Sequence, residues 1–441
     1  MSTYHAKGNI NTAYTDMSSA DKPEEWFYGQ PKVRRLFSRR VQHCSIYTQI
    51  TCHDKNTGTT ELPVFEFSNT ADYARSSWVQ AQTPKVTVKA EEQKKYRIAY
   101  TWNPAHHIFN AGVLRFNDLP VSEFDTHSLD FISQYRVSAA KWALYQKMIG
   151  NVPELQEWTH ELPSYPIKLP TPHSYAQDAT SALPLYRATL NRIKEEYTVQ
   201  TELSRLIRLQ INKAADVELD EPDWQDAKAG EVDLSSILTV EGGRRLEISD
   251  VSHWTKYVII HDDEREATIN DVYEQVIEQV HGTSSKKAGP GEHLKEFRLS
   301  GPTKALFFGM ANKTSDLYNN RSNYTDDRRA GEVGSDPVAR ASLIYDTSAR
   351  FENVPGHWFD VETWLHGERS ISEAGMHALF YGQHVNSLDL DGSSNFSHIV
   401  SSLKVDVEEK TAQENEYALV IRALSAHRLT FKQDGAGFLA F

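Results

Sequence analysis

Two adjacent histidines, His106 and His107, are the residues of this 441-residue chain that most resemble a metal-ligand pair. Imidazole nitrogens bind zinc and related ions. If the segment is a strand, neighbouring side chains point to opposite faces of the sheet, so both rings cannot easily reach one ion. We therefore predict no metal site here and no cofactor elsewhere.

The run Asp262-Asp263-Glu264-Arg265 offers paired carboxylates, which glycoside hydrolysis requires. Carboxylates that are neighbours in sequence rarely flank one sugar bond, and Arg265 supplies an ion-pair partner. A solvated turn is the better interpretation of this run.

Other catalytic patterns are missing from the sequence. It contains no Gly-x-Ser-x-Gly elbow, no glycine-rich phosphate loop before a helix and no His-Glu-x-x-His. The remaining histidines considered, His357, His366, His377 and His384, are spread over separate segments, as satisfied or surface histidines are. The sequence therefore predicts no catalytic residue and no enzyme.

The protein is large and acidic, and 39% of its residues are hydrophobic, which is enough to form hydrophobic cores. A chain of this length predicts two domains of about 200 residues each. The net charge of −13 argues against a nucleic-acid partner, because phosphate neutralisation needs a basic face. No apolar run is long enough to cross a membrane, and the N-terminus lacks the apolar segment of a signal peptide.

Neither the cysteines nor the clustered basic residues give a strong prediction of a binding or catalytic site. Cys44 and Cys52 fit no zinc spacing and are predicted to be reduced structural residues. The basic cluster at residues 32–40 could touch anionic lipid or an acidic neighbour, but a solvated arm is the favoured interpretation.

Strand patterns dominate the elements that would position these residues. Residues of one parity from Tyr197 to Ile211 are mostly apolar, which predicts a long two-faced strand or a pair of strands. Leu403, Val405 and Val407 alternate with polar residues in the same way. Shorter strands are predicted at 64–67, 85–89, 297–299 and 341–345.

Helices and long loops are fewer. Helices are predicted at 138–149, stopping at Gly150, and at 271–281. The proline-rich segment 153–184 is predicted to be an extended connector that cannot occupy a central strand. The polar segment 312–337 is predicted to be a long exposed loop, either functional surface or disorder, and its sequons at Asn312, Asn320 and Asn323 are interpreted as chance composition. Many strands with few helices favour β-sandwich architecture.

A family resemblance runs along most of the chain. The segment Gly392-Ser393-Ser394-Asn395-Phe396-Ser397-His398-Ile399 resembles a late segment of the major capsid proteins of nucleocytoplasmic large DNA viruses. The run Phe116-Asn117-Asp118-Leu119-Pro120, with Glu123-Phe124-Asp125 and Leu129-Asp130-Phe131 behind it, resembles an iridovirus and ascovirus segment. Similar correspondences follow, in order, at 147–151, 254–265, 273–280 and 422–441.

The resemblance implies an all-β fold of two consecutive eight-stranded jelly-roll sandwiches, a double jelly roll. The implied division is an N-terminal arm at 1–35, a first jelly roll at 36–267 and a second at 268–441. The residues of the family motifs, with structural rather than catalytic roles, are Phe116, Asn117, Asp118, Phe124, Asp125, Gly150, Asn151, Asp262, Glu264, Arg265, Gly392, Asn395, Phe396, Ser397 and Gly437.

The same resemblance implies a function in a virion assembled in the host cytoplasm. Three copies would form a pseudo-hexameric capsomer, and capsomers would tile an icosahedral shell around an inner membrane. Implied partners are other copies of the chain, minor capsid proteins and the inner membrane, reached through the arm; nucleic acid is not among them.

Three alternatives stay open. The chain could be a diverged minor capsid paralogue, or a jelly-roll carbohydrate-binding protein that stacks sugars on Trp358 and Trp364. It could also be a β-sandwich glycosidase, which needs two carboxylates in one cleft.

Overall fold

The structure is a computed structural model of the chain. It describes residues 47–440 apart from 69, 178–180, 215–221, 249, 270–272, 300, 329–333, 347, 369–373, 389–390, 397–399, 409–413 and 432–436. The predicted arm, the basic cluster 32–40, Cys44 and Ser397 therefore lie outside the described residues.

Residues 47–260 form a first sandwich. Its strands are β1 Tyr47–Asp54, β2 Val64–Glu66, β3 Tyr73–Gln82, β4 Val86–Val88, β5 Tyr96–Tyr100, β6 Phe109–Phe116, β7 Leu119–Asp125, β8 Glu161–Leu162, β9 Pro166–Pro170, β10 Leu183–Pro184, β11 Ile193–Val199, β12 Ile207–Asn212, β13 Trp224–Asp226, β14 Leu238–Val240 and β15 Val251–Ile260.

Residues 273–440 form a second sandwich. Its strands are β16 Tyr273–Ser284, β17 Gly291–Phe297, β18 Pro302–Asn312, β19 Val338–Tyr345, β20 Ser348–Pro355, β21 Met376–Phe380, β22 Ser394–Asn395, β23 Ser401–Val407, β24 Tyr417–Phe431 and β25 Gly437–Ala440.

The helices are short and lie in the connections between strands. The α-helices are α1 Pro104–Ile108, α2 Thr126–Arg136, α3 Ala139–Ile149, α4 Pro153–Gln156, α5 Leu234–Ile237, α6 Asp262–Ile269 and α7 Phe359–His366. Single 3-10 turns occur at Ala90–Glu92, Ser174–Ala176, Leu185–Arg187, Leu203–Arg205, Glu241–Gly243, Ser315–Tyr318 and Gly356–Trp358. No helix in the described part of the chain is long and apolar enough to cross a membrane.

The two sandwiches share one strand order. In the first, one sheet runs β1-β15-β3 with β9 and β10 both on β3, and the facing sheet runs β2-β11-β6-β7. In the second, the corresponding sheets run β16-β24-β18-β21 and β17-β23-β19-β20. Eight strands of each sandwich thus correspond one to one, with β1, β15, β3 and β9 matching β16, β24, β18 and β21, and β2, β11, β6 and β7 matching β17, β23, β19 and β20. The first sandwich has two additional small sheets, β13-β12-β5 and β14-β4-β8, and β-pairing among the described strands stays within a sandwich. The predicted all-β fold of two consecutive sandwiches is confirmed.

Several element predictions are confirmed in detail. β23 buries Leu403, Val405 and Val407 and leaves the intervening residues half-buried. α3 ends at Gly150, whose φ of 89° is the left-handed conformation that glycine adopts readily. The segment from Tyr197 to Ile211 is the end of β11, a 3-10 turn and β12, the predicted pair of strands. In the proline-rich segment, β9 pairs only with β3, at a sheet edge where proline is tolerated.

The helix predicted at 271–281 is wrong, because the described part of that segment is β16. This strand pairs with β24 from Tyr273 to Ser284. The strand is buried on both faces between Val276 and Glu278. Its apolar residues therefore do not alternate with polar ones, as they do in a strand with one solvent-exposed face. The strand predicted at 297–299 ends at Phe297.

Each sandwich has its own core, and two further clusters join them. One joining cluster packs Leu114 and Phe116 of the first sandwich with Tyr273 and Phe431 of the second. The other packs α2 against the outer face of the second sandwich's β18 and β21. The candidate functional residues lie along this junction.

Candidate functional site

The junction begins at Asp125, which ends β7 and caps α2. Its Oδ1 accepts a hydrogen bond from the backbone N–H of Ser128 at 2.9 Å, as an N-cap carboxylate does. The same carboxylate binds Arg422 of β24, whose Nε lies 3.1 Å from Oδ1 and whose Nη2 contacts Oδ2. Burial opposes ionisation, but the hydrogen bonds and charge of Arg422 outweigh it and lower the pKa of Asp125 to about 2.

One turn further along α2, Asp130 is fully buried and collects donors from two segments. His106 Nδ1 lies 2.7 Å from Oδ1, and Asn103 Nδ2 donates to the same oxygen at 3.0 Å. Ser322 of the second sandwich donates from Oγ to Oδ2 at 2.8 Å. Burial raises the pKa of Asp130, but the His106 hydrogen bond and charge outweigh burial, and the net shift is downward.

This cluster contains a serine, histidines and an aspartate, yet its geometry does not form a nucleophile. His107 Nε2 lies 2.8 Å from Ser322 Oγ, but that hydroxyl donates to Asp130, so His107 is not positioned to take its proton. Burial lowers the pKa of His107 to about 3, which keeps its ring neutral. The cluster is a polar tie between the sandwiches.

The segment 312–328 of the second sandwich forms further hydrogen bonds with the first sandwich. Asn319 Nδ2 donates to the carbonyls of Ser204 and Ile207 at 3.0 and 2.9 Å, and Arg321 N donates to Thr101 Oγ1 at 2.9 Å. The prediction of an exposed loop is therefore wrong for most of the described residues of this segment, although Leu317 is 54% exposed. Its polar side chains are inside because they bond backbone groups of the first sandwich. Asn312, Asn320 and Asn323 are all buried.

Aromatic stacking covers the outer face of the second sandwich beside this tie. Phe131 and Tyr135 of α2 stack on Phe307 of β18, with ring centroids 6.0 and 5.3 Å apart and interplanar angles of 11° and 7°. All three rings are buried, so α2 packs its aromatic face on the second sandwich in addition to supplying charged residues to the junction.

A buried ion triad closes the junction at the end of α2. Glu278 of β16 lies 2.8 Å from Arg136 Nη2 and 2.7 Å from Lys304 Nζ, and all three side chains are at most 5% exposed. Burial alone would raise the pKa of Glu278, but the charges of Arg136 and Lys304 lower it. Removing Glu278 would leave two buried cations without a counter-charge.

A second buried charge cluster lies inside the first sandwich. His253 of β15 has Nδ1 2.8 Å from Asp54 and Nε2 2.9 Å from Glu195. Burial opposes the charge on His253, but the two carboxylates outweigh it and raise the pKa of His253 to about 9. This cluster ties the two sheets of one sandwich together, since Glu195 belongs to β11.

Several family-motif residues lie at or near the junction. Phe116 is buried against Phe431, with ring centroids 6.0 Å apart. Phe124 is buried at the end of β7, and Asn151 Oδ1 accepts from the backbone N–H of Asn103, 2.8 Å away, beside Asp130. Asn117 sits in the β6–β7 turn with φ of 56°, followed by exposed Asp118.

The other family-motif residues are dispersed. Arg265 binds the buried carboxylate of Asp72, with Nε 2.8 Å from Oδ1, and also contacts Asp262 at 3.0 Å. Phe396 is buried against Tyr345, while Asn395 ends β22 just after Gly392. Gly437 begins β25. The side chain of Glu264, like Ser397, lies outside what the structure describes.

Two predictions about local structure need correction. The run Asp262–Arg265 opens helix α6 rather than forming a turn, because Arg265 is anchored on Asp72. His106 and His107 lie on helix α1, not on a strand, and both are buried. The described residues hold no group of three or more His, Cys, Asp or Glu side chains able to bind a metal.

Sequence reasoning missed Lys304, Glu278, Arg136 and His253 as structural centres. A signal was present for two of them. Lys304 directly precedes the apolar run Ala305–Phe308, and Glu278 follows Val276-Ile277. A lone charge beside a buried apolar run indicates a buried partner.

The family model described as the large eukaryotic DNA virus major capsid protein matches residues 264–428. The major capsid protein of Simulium iridescent virus is 25% identical over 439 residues, covering 92% of this chain and 88% of that protein. The major capsid protein of Frog virus 3 (isolate Goorha) is 25% identical and covers 97% of this chain and 98% of that protein.

Solved structures agree with the fold. A quasi-atomic model of the PBCV-1 virus capsid superposes with a TM-score of 0.69 at 16% identity, covering 90% of this chain and 97% of that chain. The Faustovirus major capsid protein superposes with a TM-score of 0.70 at 9% identity, covering 96% and 99%. At these identities the likeness concerns the fold.

Proposed function

We propose that the chain is a major capsid protein of the large eukaryotic DNA virus family, and that three copies form a pseudo-hexameric capsomer that tiles an icosahedral shell. The role is structural and non-enzymatic, as it is for the major capsid proteins that the chain resembles. A capsomer needs six similar building units around a threefold axis, and one chain supplies two of them.

The observation that carries this proposal is the repeated strand order within one chain. Eight strands of the first sandwich correspond in order to eight strands of the second. They are held side by side by the Asp125–Arg422 pair, the Asp130 cluster and the buried Arg136–Glu278–Lys304 triad. A rigid two-unit tile favours closed rings over flexible chains.

The remaining parts of the proposal follow from the family resemblance. We propose the arm at 1–35 as the contact with the inner membrane or with minor capsid proteins, supported by its basic cluster at 32–40. The jelly-roll units are proposed at 36–267 and 268–441, and assembly is proposed in the host cytoplasm. A net charge of −13 supports a shell without direct nucleic-acid contacts.

Solution mass tests the proposal. Light scattering behind size exclusion should give about 150 kDa, three times the 50.2 kDa chain mass, and electron microscopy should show hexagonal particles. A mass of one chain at every concentration tested would contradict it. A glycan array gives the counter-test: sugar binding by a protein that never self-associates would favour the carbohydrate-binding alternative.

A further inference from the structure

An exposed apolar stripe runs along α7, in the connection between β20 and β21. Its residues are Trp358, Val361, Trp364 and Leu365, which are 40%, 52%, 68% and 53% exposed. Phe359 and Thr363, on the opposite side of the helix, are buried in the second sandwich. Acidic Asp360 and Glu362 flank the stripe on either side. Four large apolar side chains in one exposed patch mark an interaction surface.

The first sandwich has a helix at the same place in its topology, and that helix is covered. β7 corresponds to β20 and β9 to β21 in the shared strand order, so α2, which follows β7, corresponds to α7. The aromatic face of α2 lies on the outer face of the second sandwich's β18, through Phe131, Tyr135 and Phe307. The α7 stripe has no such cover among the described residues.

The surface that corresponds to β18 is the outer face of β3 and its neighbour β15 in the first sandwich. There Trp78 and Trp254 are register partners and stack at 6.4 Å with an interplanar angle of 7°, both half-buried. Lys256 lies two residues from Trp254 on β15, and Lys168 of β9 pairs with Gln80 on the other side of the tryptophans. Basic residues thus flank this aromatic pair as acidic residues flank the α7 stripe.

We infer that the α7 stripe docks on the Trp78–Trp254 face of a second copy of the chain. This contact repeats between chains the contact that α2 makes within one chain. It joins two different surfaces, so it is heterologous, and it closes into a ring of three copies when successive sandwiches are related by one sixth of a turn. The inference rests on the proposed capsomer and names the surfaces that build it.

The neighbouring strands fit the same arrangement. Within the chain, β7 lies beside β16, where Ser122 Oγ donates to the Glu278 carbonyl and Gln279 Nε2 donates to the Val121 carbonyl. The corresponding strands are β20 and β1. β20 is an edge strand with most of its residues exposed, so it is open to the β1 of a second copy.

The test uses the full chain with one broken surface at a time. A helix variant carries Trp364→Asp and Leu365→Asp, and a sheet variant carries Lys168→Glu and Lys256→Glu. Leu190→Asp, at a side chain that is 66% exposed outside both surfaces, is the matched control. Far-UV circular dichroism and the thermal midpoint check that each protein is folded, and light scattering reads the mass.

We expect the control to be a trimer and each surface variant alone to have the mass of one chain. An equimolar mixture of the two variants should form a heterodimer of about 100 kDa, because one intact helix still meets one intact sheet. Adding Asp360→Lys and Glu362→Lys to the sheet variant should restore the trimer by reversing both sets of charges.

The outcomes separate this inference from the proposed function. A helix variant that stays trimeric beside a trimeric wild type would overturn the α7 contact and leave the capsomer standing. A wild type that never trimerises would overturn both. If the helix variant is unfolded, the test uses the sheet variant that also carries Asp360→Lys and Glu362→Lys. If that protein is folded but does not regain the mass of a trimer, the inference is contradicted.

Discussion

Arg422 of β24 and Asp125 at the start of α2 form a two-point ion pair between the sandwiches, 297 residues apart in sequence. Gly282 on the neighbouring strand makes room for it, because a Cβ there would lie 2.6 Å from Arg422 Cδ. Arg422 also donates to the carbonyl of Thr283 at 3.0 Å. The pair therefore couples the cap of α2 to β24, a central strand of the second sandwich, and to its edge neighbour β16.

Removing this pair should weaken the junction. Arg422→Met is expected to lower the free energy of unfolding by about 2 kcal/mol, a value discounted because the Asp125 side chain is 42% exposed. Arg428→Met is the matched control on the same strand, since Arg428 pairs with Glu274 at 3.3 Å in a half-exposed setting, and it should cost under about 1 kcal/mol. Denaturant unfolding measures both, and equal losses would contradict the assignment.

The same pair predicts an acid response. The folded pKa of Asp125, about 2, lies below its ordinary value of 3.8, so its stabilisation is present above pH 3.8 and is lost as pH falls towards 2. Asp125→Asn should flatten this part of the curve of thermal midpoint against pH between 5 and 2. Asp118→Asn, in the exposed turn before β7, is the control and should leave the slope unchanged.

The buried triad should be the more sensitive of the two ties. Glu278→Gln leaves Arg136 and Lys304 without a counter-charge in a dry site, and we expect a loss of about 3–5 kcal/mol. Glu292→Gln removes a comparable contact at the surface, 2.7 Å from Lys404 with side chains 56% and 33% exposed, and should cost under about 1 kcal/mol. Comparable unfolding free energies for the two variants would argue against a structural role for the triad.

An alkaline response should come from His253 inside the first sandwich. Its folded pKa of about 9 exceeds the ordinary value of 6.5, so its stabilisation is full below pH 6.5 and is lost as pH rises through 9. The shift corresponds to about 3 kcal/mol. His253→Gln should remove the decline in thermal midpoint between pH 6.5 and 9.5, whereas His384→Gln at the surface should retain it. A decline that survives in His253→Gln would assign it to another group.

Elements with one wet face were predictable from the sequence. In β23 and in α3 up to Gly150, one side of the element faces the protein and the other faces water, so apolar and polar residues follow the period of the element. That contrast disappears where both faces are covered. Every residue of β18 is buried, and β16 looked helical because the first sandwich covers its second face. Sequence period alone cannot distinguish these states.

The junction was less predictable, because its contacts are polar and distant in sequence. The motifs around Asp125 and Arg422 were both noticed, yet nothing local in either one indicates that they meet. The polar composition of 312–328 indicated solvent, but Asn319 satisfies buried carbonyls at Ser204 and Ile207. Composition shows that a segment is polar, but it does not show whether water or buried protein groups form its hydrogen bonds.

Gly150, a family-motif residue, gives a test of backbone conformation rather than charge. Its φ of 89° is strained for any residue with a Cβ, although the nearest atoms to that Cβ would be 3.4 Å away in ordinary contact. Gly150→Ala should therefore cost about 1 kcal/mol through conformation alone. Gly289→Ala is the control, because no atom lies within 4 Å of its Cβ and its φ is not positive. Thermal midpoints of the two variants should differ by about 1–2 °C in a chain of this size, and identical midpoints would show that the α3 end relaxes without cost.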